Sequence, residues 1–175
     1  GVVVVHLPRS PERAYERWLR QGLAAWQRAH PQPLIAVENM PLKWFRWWPW
    51  GPLDLWRLNR LEQWSAFPHL MLDTTHLATK GLDPLEIYGR VRKQVAHVHL
   101  SNARREGKRV REHRRLEDGD LHLDAFLGRL AADGYAGLVV VELDPFFAHF
   151  IATADPFFPM APAGMSFSGT IPRLT

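Results

Sequence analysis

The 175-residue chain contains no cysteine. That excludes a disulfide framework and any thiolate metal site, so a bound metal would have to be held by His, Asp and Glu. No apolar run approaches the ~20 residues that a membrane span needs, and no positively charged segment leads into an apolar one as in a signal peptide. No Gly-rich loop follows any apolar run, which removes the usual cradle for a nucleotide phosphate. An initiator Met is also missing, since Gly1 stands directly before a run of β-branched residues. These absences favour one domain without membrane segments, and cysteine-free composition fits a reducing cytoplasm.

The composition that remains is that of a globular domain, with 46% hydrophobic and 23% charged residues. The net charge of +4 and pI near 9.8 would suit a polyanion. Much of the excess, however, lies in residues 104–115. Such a cluster is expected to be a solvated loop, which disfavours a nucleic-acid partner. The same arginines would serve a small phosphorylated substrate.

Apolar runs of strand length alternate with segments of helical period. Residues 2–6, 34–38, 70–73, 95–100 and 138–143 read as strands. Helices are expected from Ser10, with Ser as N-cap and Pro11 at the first position, and over residues 53–64. Two more are expected after the cap Asp83 and over 121–132, the last ended by Gly134. A weak sixth strand is expected near residues 109–113. Strands that are apolar throughout belong in a parallel sheet covered on both faces, and strict alternation implies right-handed crossovers.

The expected fold is therefore α/β, a (β/α)8 TIM barrel. Such a barrel takes about 250 residues, so roughly the first two βα units are expected to be absent. Residues 1–145 would form the partial barrel and 146–175 an irregular tail rich in Phe, Pro and Ala.

Each expected strand ends in a side chain able to bind metal: His6, Glu38, Asp73, His99 and Glu142. A barrel collects its reactive groups at the carboxyl ends of its strands, so these five should converge on one mouth. The stretch LMLDTTHLAT leaves Asp73 two readings, as a cap for the next turn or as a ligand. His97 shares a face with His99 but lies one layer deeper, where it orients a neighbour or fills space. His69, at the amino end of its strand, belongs to the opposite rim.

The ordered set VENM, LDTTHLA, HVHLSN and VVVEL resembles the xylose-isomerase-like TIM barrels, a superfamily of sugar isomerases, epimerases and type IV apurinic endonucleases. The resemblance covers about residues 1–145. It implies one divalent ion (Mn, Co, Mg or Zn) held by Glu38, Asp73, His99 and Glu142. It also implies that His76, of the D-x-x-H element, contacts substrate. The chemistry implied is proton transfer next to a carbonyl through a metal-stabilised enediolate, with Glu38 and Glu142 as the acid–base pair. The substrate would be a sugar or sugar phosphate, contacted also by His6, Arg104, Arg105 and Trp44.

The endonuclease branch is the alternative. It is similar in DTTH, HLSN and His113, but Arg111 stands where that branch carries a ligating Asp. An inactive barrel fragment is a third reading. The Trp-rich stretch WFRWWPWGPLDLW, residues 44–56, lies just beyond Glu38. Trp44, Trp47, Trp48 and Trp50 are expected to form a substrate lid or a contact between copies of the chain, with Trp56 and Trp64 packed as helix core.

Overall fold

In the computed structural model, residues 1–45, 47–48 and 50–144 are described; the expected tail lies outside them. Five strands form one sheet: β1 (Val2–Val5), β2 (Leu34–Glu38), β3 (Leu70–Asp73), β4 (Val95–Leu100) and β7 (Leu138–Val141). Their order is β1-β2-β3-β4-β7, and every pairing is parallel. All of β3 is buried, as is all of β2 beyond Leu34, which is why these strands read as unbroken apolar runs rather than alternating ones.

The crossovers are α1 (Arg13–Arg17), a π-helical turn (Trp18–Gly22) running into α2 (Leu23–Ala29), α3 (Leu61–Trp64), α4 (Thr74–Thr79), α5 (Pro84–Val91) and α6 (Leu123–Ala132). Leu19, Leu23, Trp64, Leu77, Ile87, Phe126 and Leu130 from these elements pack with Val37, Leu70, Leu72, Val98 and Leu100 of the sheet in one buried core. The Trp64 indole also donates to the Val37 carbonyl at 2.8 Å, so this tryptophan is core, as expected. Trp56 packs against the same core from a loop, with the Arg9 guanidinium 4.3 Å over its ring.

Three local expectations are corrected. The first helix starts at Arg13, not Ser10; Glu12 takes the cap position, and its Oε2 accepts from the Arg9 amide. Of the helix expected over 53–64, only Leu61–Trp64 forms. There the Asp54 side chain takes the Trp56 amide and Leu58 adopts φ +67°, both incompatible with a continuous helix.

Residues 109–113 are indeed extended, but not as a barrel strand. β6 (Arg109–Arg114) pairs antiparallel with β5 (Asn102–Glu106) in a separate two-stranded sheet. Gly107, at φ +61°, closes the two-residue turn between Glu106 and Arg109. The basic segment is thus a hairpin rather than a loose loop. Its arginines find carboxylates: Arg104 and Arg114 on Asp118, and Arg111 on Glu106.

Candidate metal centre

The register of the parallel sheet aims the chemical residues. Val5 pairs with Val37, which sets His6 beside Glu38; Glu38 pairs with Met71, two residues before Asp73. Asp73 pairs with His99, and His99 with Val140, two residues before Glu142. Every offset is zero or two. Because side chains alternate with period two, all of these residues therefore face the same side of the sheet at its carboxyl end.

At the strand ends, Asp73 is fully buried. Its Oδ1 accepts from the Thr75 amide (2.8 Å), the Thr75 hydroxyl (2.9 Å) and the His76 amide (2.8 Å), and so caps α4. Its Oδ2 has no hydrogen-bond partner. The cap reading of Asp73 is thus met by Oδ1 alone, and Oδ2 remains available as a ligand. Asn39, unforeseen in the sequence, locks β2 to β3: its Nδ2 donates to the Asp73 carbonyl and its Oδ1 accepts from the Asp73 amide. Thr74 ties the same corner to β4 by donating to the Ser101 carbonyl at 2.8 Å.

Ligand atoms of Glu38, Asp73 and His99 lie within 4.8 Å of one another. Glu142 joins through His99: Oε2 and Nδ1 meet at 2.6 Å, without the alignment of a hydrogen bond. Contact with the His99 imidazole outweighs burial and holds the Glu142 carboxyl down at about 2. Burial would lower His99, but Glu142, Glu38 and Asp73 together raise it. A buried carboxylate oxygen without a partner, beside an imidazole nitrogen and two further carboxylates, is a donor set suited to a divalent cation such as Mn²⁺, Mg²⁺, Co²⁺ or Zn²⁺.

Around this group stand the histidines. His6 Nε2 lies 3.0 Å from Glu38 Oε2, and His76 Nδ1 lies 3.1 Å from Glu38 Oε1. His76 Nδ1 also lies 2.8 Å from the Asn39 carbonyl. A carbonyl only accepts, so Nδ1 carries the hydrogen and Nε2 turns toward Asp73 Oδ2 (3.9 Å) and Glu112 Oε1 (3.7 Å). Burial alone would lower His76; Asp73, Glu38 and Glu112 together push it up to about 9. His97 is driven down to about 4 by burial and by its neighbour His99, whose ring centroid is 5.0 Å away. It is therefore neutral beneath the cluster. His69 lines a separate cavity of about 780 Å³ at the amino ends of the strands, on the opposite rim.

Not every expected site residue reaches the cluster. Arg104 is engaged by Asp118 at 2.5 Å, and Arg105 lines a different crevice with Leu82, Asp83 and Asp120. Trp44 is half-buried, 5.9 Å beneath the Arg109 guanidinium. Trp47 and Trp50 are 72% and 78% exposed. Two residues that sequence reasoning passed over do arrive: Glu112, and the Lys43 that binds it at 3.1 Å. Asp73, His76 and His113 form a second trio whose ligand atoms lie within 4.8 Å.

Together the parallel sheet and its ring of carboxylates and imidazoles define a TIM-barrel protein with a metal-competent mouth. The family model described as "Xylose isomerase-like TIM barrel" matches residues 2–148, and the chain belongs to that family. No curated protein matches its sequence. Among solved structures it is similar to a D-tagatose 3-epimerase-like protein, at 21% identity and TM-score 0.51, covering 82% of this chain and 55% of that one. It also matches 3-keto-D-glucoside 4-epimerase from E. coli, at 20% identity and TM-score 0.49, covering 83% and 59%. The chain therefore spans little more than half the length of these structures. No helix among the described residues is long and apolar enough to cross a membrane.

Proposed function

We propose that the protein serves a metal-dependent sugar isomerase or epimerase reaction. The observation that carries this reading is the convergence of Glu38, Asp73 and His99 within 4.8 Å, with Glu142 in contact with His99, at the mouth of a barrel of this family. A divalent cation there would supply positive charge to the carbonyl and hydroxyl oxygens of a sugar, favouring loss of the proton from the carbon beside them. Glu38 and Glu142 sit on opposite flanks of the group and are the bases that would take and return that proton. His76, its Nδ1 occupied by the Asn39 carbonyl, presents Nε2 to a substrate oxygen. His6 holds Glu38 from the other side. Trp44 is the aromatic residue that would stack on the C–H face of a sugar ring.

The test is titration with Mn²⁺, followed by proton NMR of a ketose in D2O with the loaded protein. One cation should bind per chain, and deuterium should enter the ketose at carbon next to the carbonyl. Asp73→Asn, which keeps the cap oxygen but removes the charge, should abolish both. Absence of cation binding by the wild-type chain overturns the reading.

A second reading, a multi-metal nuclease acting at abasic sites, draws on the trio Asp73, His76 and His113. Against it, Arg111 turns outward to Glu106 at 2.7 Å and offers no ligand. Nicking of abasic duplex DNA with Zn²⁺ supplied would decide for it.

A further inference from the structure

The hairpin that replaces the expected sixth barrel strand carries an irregularity aimed at the mouth. Arg111 pairs with Arg104 and Arg114 pairs with Asn102, so Glu112 and His113 together oppose the single residue Ala103. This is a β-bulge, and His113 sits in it at φ +53°, a conformation that a residue other than glycine adopts at a cost. The bulge breaks the alternation that would send one of the two side chains outward. Both turn toward α4 instead. The His113 ring stands edge-on to His76, centroids 5.3 Å apart, and Glu112 Oε1 lies 3.7 Å from His76 Nε2. The Asp144 amide donates to the His113 carbonyl at 3.0 Å, fastening the bulge to the segment that follows Glu142.

Lys43 answers from the other wall. It follows β2 and is held by reciprocal backbone hydrogen bonds with Leu53. Its ammonium donates to both Glu112 oxygens, at 3.1 and 3.3 Å. Lys43 is less than half exposed and Glu112 only 16%, so the pair lines the mouth rather than decorating the surface. Side by side they offer an acceptor and a donor with no net charge.

We propose that Glu112 and Lys43 form a subsite for the vicinal hydroxyls of an uncharged sugar, and that it disfavours a phosphorylated one. The inference rests on the sugar-converting reading of the neighbouring carboxylate cluster. A carboxylate accepts two O–H groups of a diol, while the ammonium donates to the oxygen of either. A phosphate dianion at the same place would meet the Glu112 and Lys43 charges together, a neutral pair that gives no net attraction to offset its desolvation. Three of the hairpin's cations are committed to carboxylates: Arg104 and Arg114 bind Asp118, and Arg111 binds Glu106; a fourth, Arg109, lies over the Trp44 ring. The bulge is the device that delivers the carboxylate.

Calorimetric titration of the Mn²⁺-loaded chain with D-tagatose, D-fructose and D-xylulose, and with their terminal phosphate esters, tests this directly. At least one free ketose should bind at least tenfold more tightly than its ester. Glu112→Gln keeps the shape and should weaken free-sugar binding by about tenfold, the scale of one hydrogen bond to a charged group, while Mn²⁺ affinity stays at the wild-type value and reports an intact fold. The same variant should narrow the gap to the ester, because Lys43 loses its counter-charge. Unchanged sugar affinity in Glu112→Gln, tighter binding of the esters by the wild type, or binding of no sugar by a chain that holds Mn²⁺ overturns the subsite alone. A wild-type chain that binds no Mn²⁺ overturns the cluster reading with it.

Discussion

Asp73 uses one oxygen to cap α4 and keeps the other buried without a hydrogen-bond partner. Oδ1 satisfies two amides and a hydroxyl at the start of α4, while Oδ2 is buried and unpartnered beside His76 and His99. Leaving a buried carboxylate oxygen unmatched costs free energy unless a cation or proton answers it. In the cation-free protein the answer comes from His76, whose proton is held by Asp73, Glu38 and Glu112 against the opposing effect of burial. The imidazole is raised from 6.5 to about 9, so the folded chain binds this proton more tightly than the unfolded chain does. Its contribution to stability is complete below pH 6.5 and is lost as pH rises through about 9. Urea unfolding of the chelator-treated protein should show stability falling across that window, and His76→Gln should flatten the slope. A wild-type profile equally flat from pH 6.5 to 9 would contradict the placement of His76 among three carboxylates.

At the scale of elements, two helices carry glycines with opposite consequences. Gly89 lies inside α5, with nothing within 4 Å of an added Cβ. Gly89→Ala removes backbone freedom from the unfolded chain and should stabilise by about 0.5–1 kcal/mol. Gly134 follows α6 at φ +65°, where its amide closes the last turn on the Ala131 carbonyl. Gly134→Ala forces a Cβ into the left-handed region and should destabilise by about 1 kcal/mol or more. Melting curves of the two variants should therefore move in opposite directions, and movement in the same direction would refute the helix boundary. The sequence announces such boundaries where a side chain does the capping, as at Asp83, whose Oδ1 accepts from Leu85. It announces the strands where both faces are covered, and hence Glu38, Asp73, His99 and Glu142 at their ends. What it conceals is set by tertiary context. The helical period of residues 53–64 is overridden by Asp54, which takes the Trp56 amide, and by the positive φ of Leu58. The approach of Glu112 to His76 is invisible in the sequence because only a bulge, not strand alternation, can turn it inward beside His113. Arg104 and Arg105 follow His99 closely, yet the antiparallel turn at Gly107 draws them into a hairpin with carboxylates of its own.

For the molecule as a whole, the sheet has two boundaries. Among the described residues β1 pairs only with β2, and β7 only with β4. The outer backbone of β1, unmatched among the described residues, runs beside Val3, which is 44% exposed, and β7 begins at Leu138, 52% exposed. Such edges combine unpaired amides and carbonyls with apolar side chains, the combination that templates pairing with another strand. The exposed indoles of Trp47 and Trp50 offer a rival surface for association, but they present apolar area alone. An edge offers directional hydrogen bonds in addition, and it should dominate. Sedimentation velocity on the 175-residue chain is expected to show association that grows with protein concentration. Val3→Lys with Leu138→Lys should reduce it several-fold, since a charge on each edge penalises pairing, while Mn²⁺ binding at the distant carboxyl ends stays unchanged. Trp47→Ser with Trp50→Ser should leave association almost intact. If the tryptophan pair rather than the lysine pair dissolves the assemblies, copies of the chain meet through the aromatic rim beside the mouth, and the sheet edges are shielded in solution.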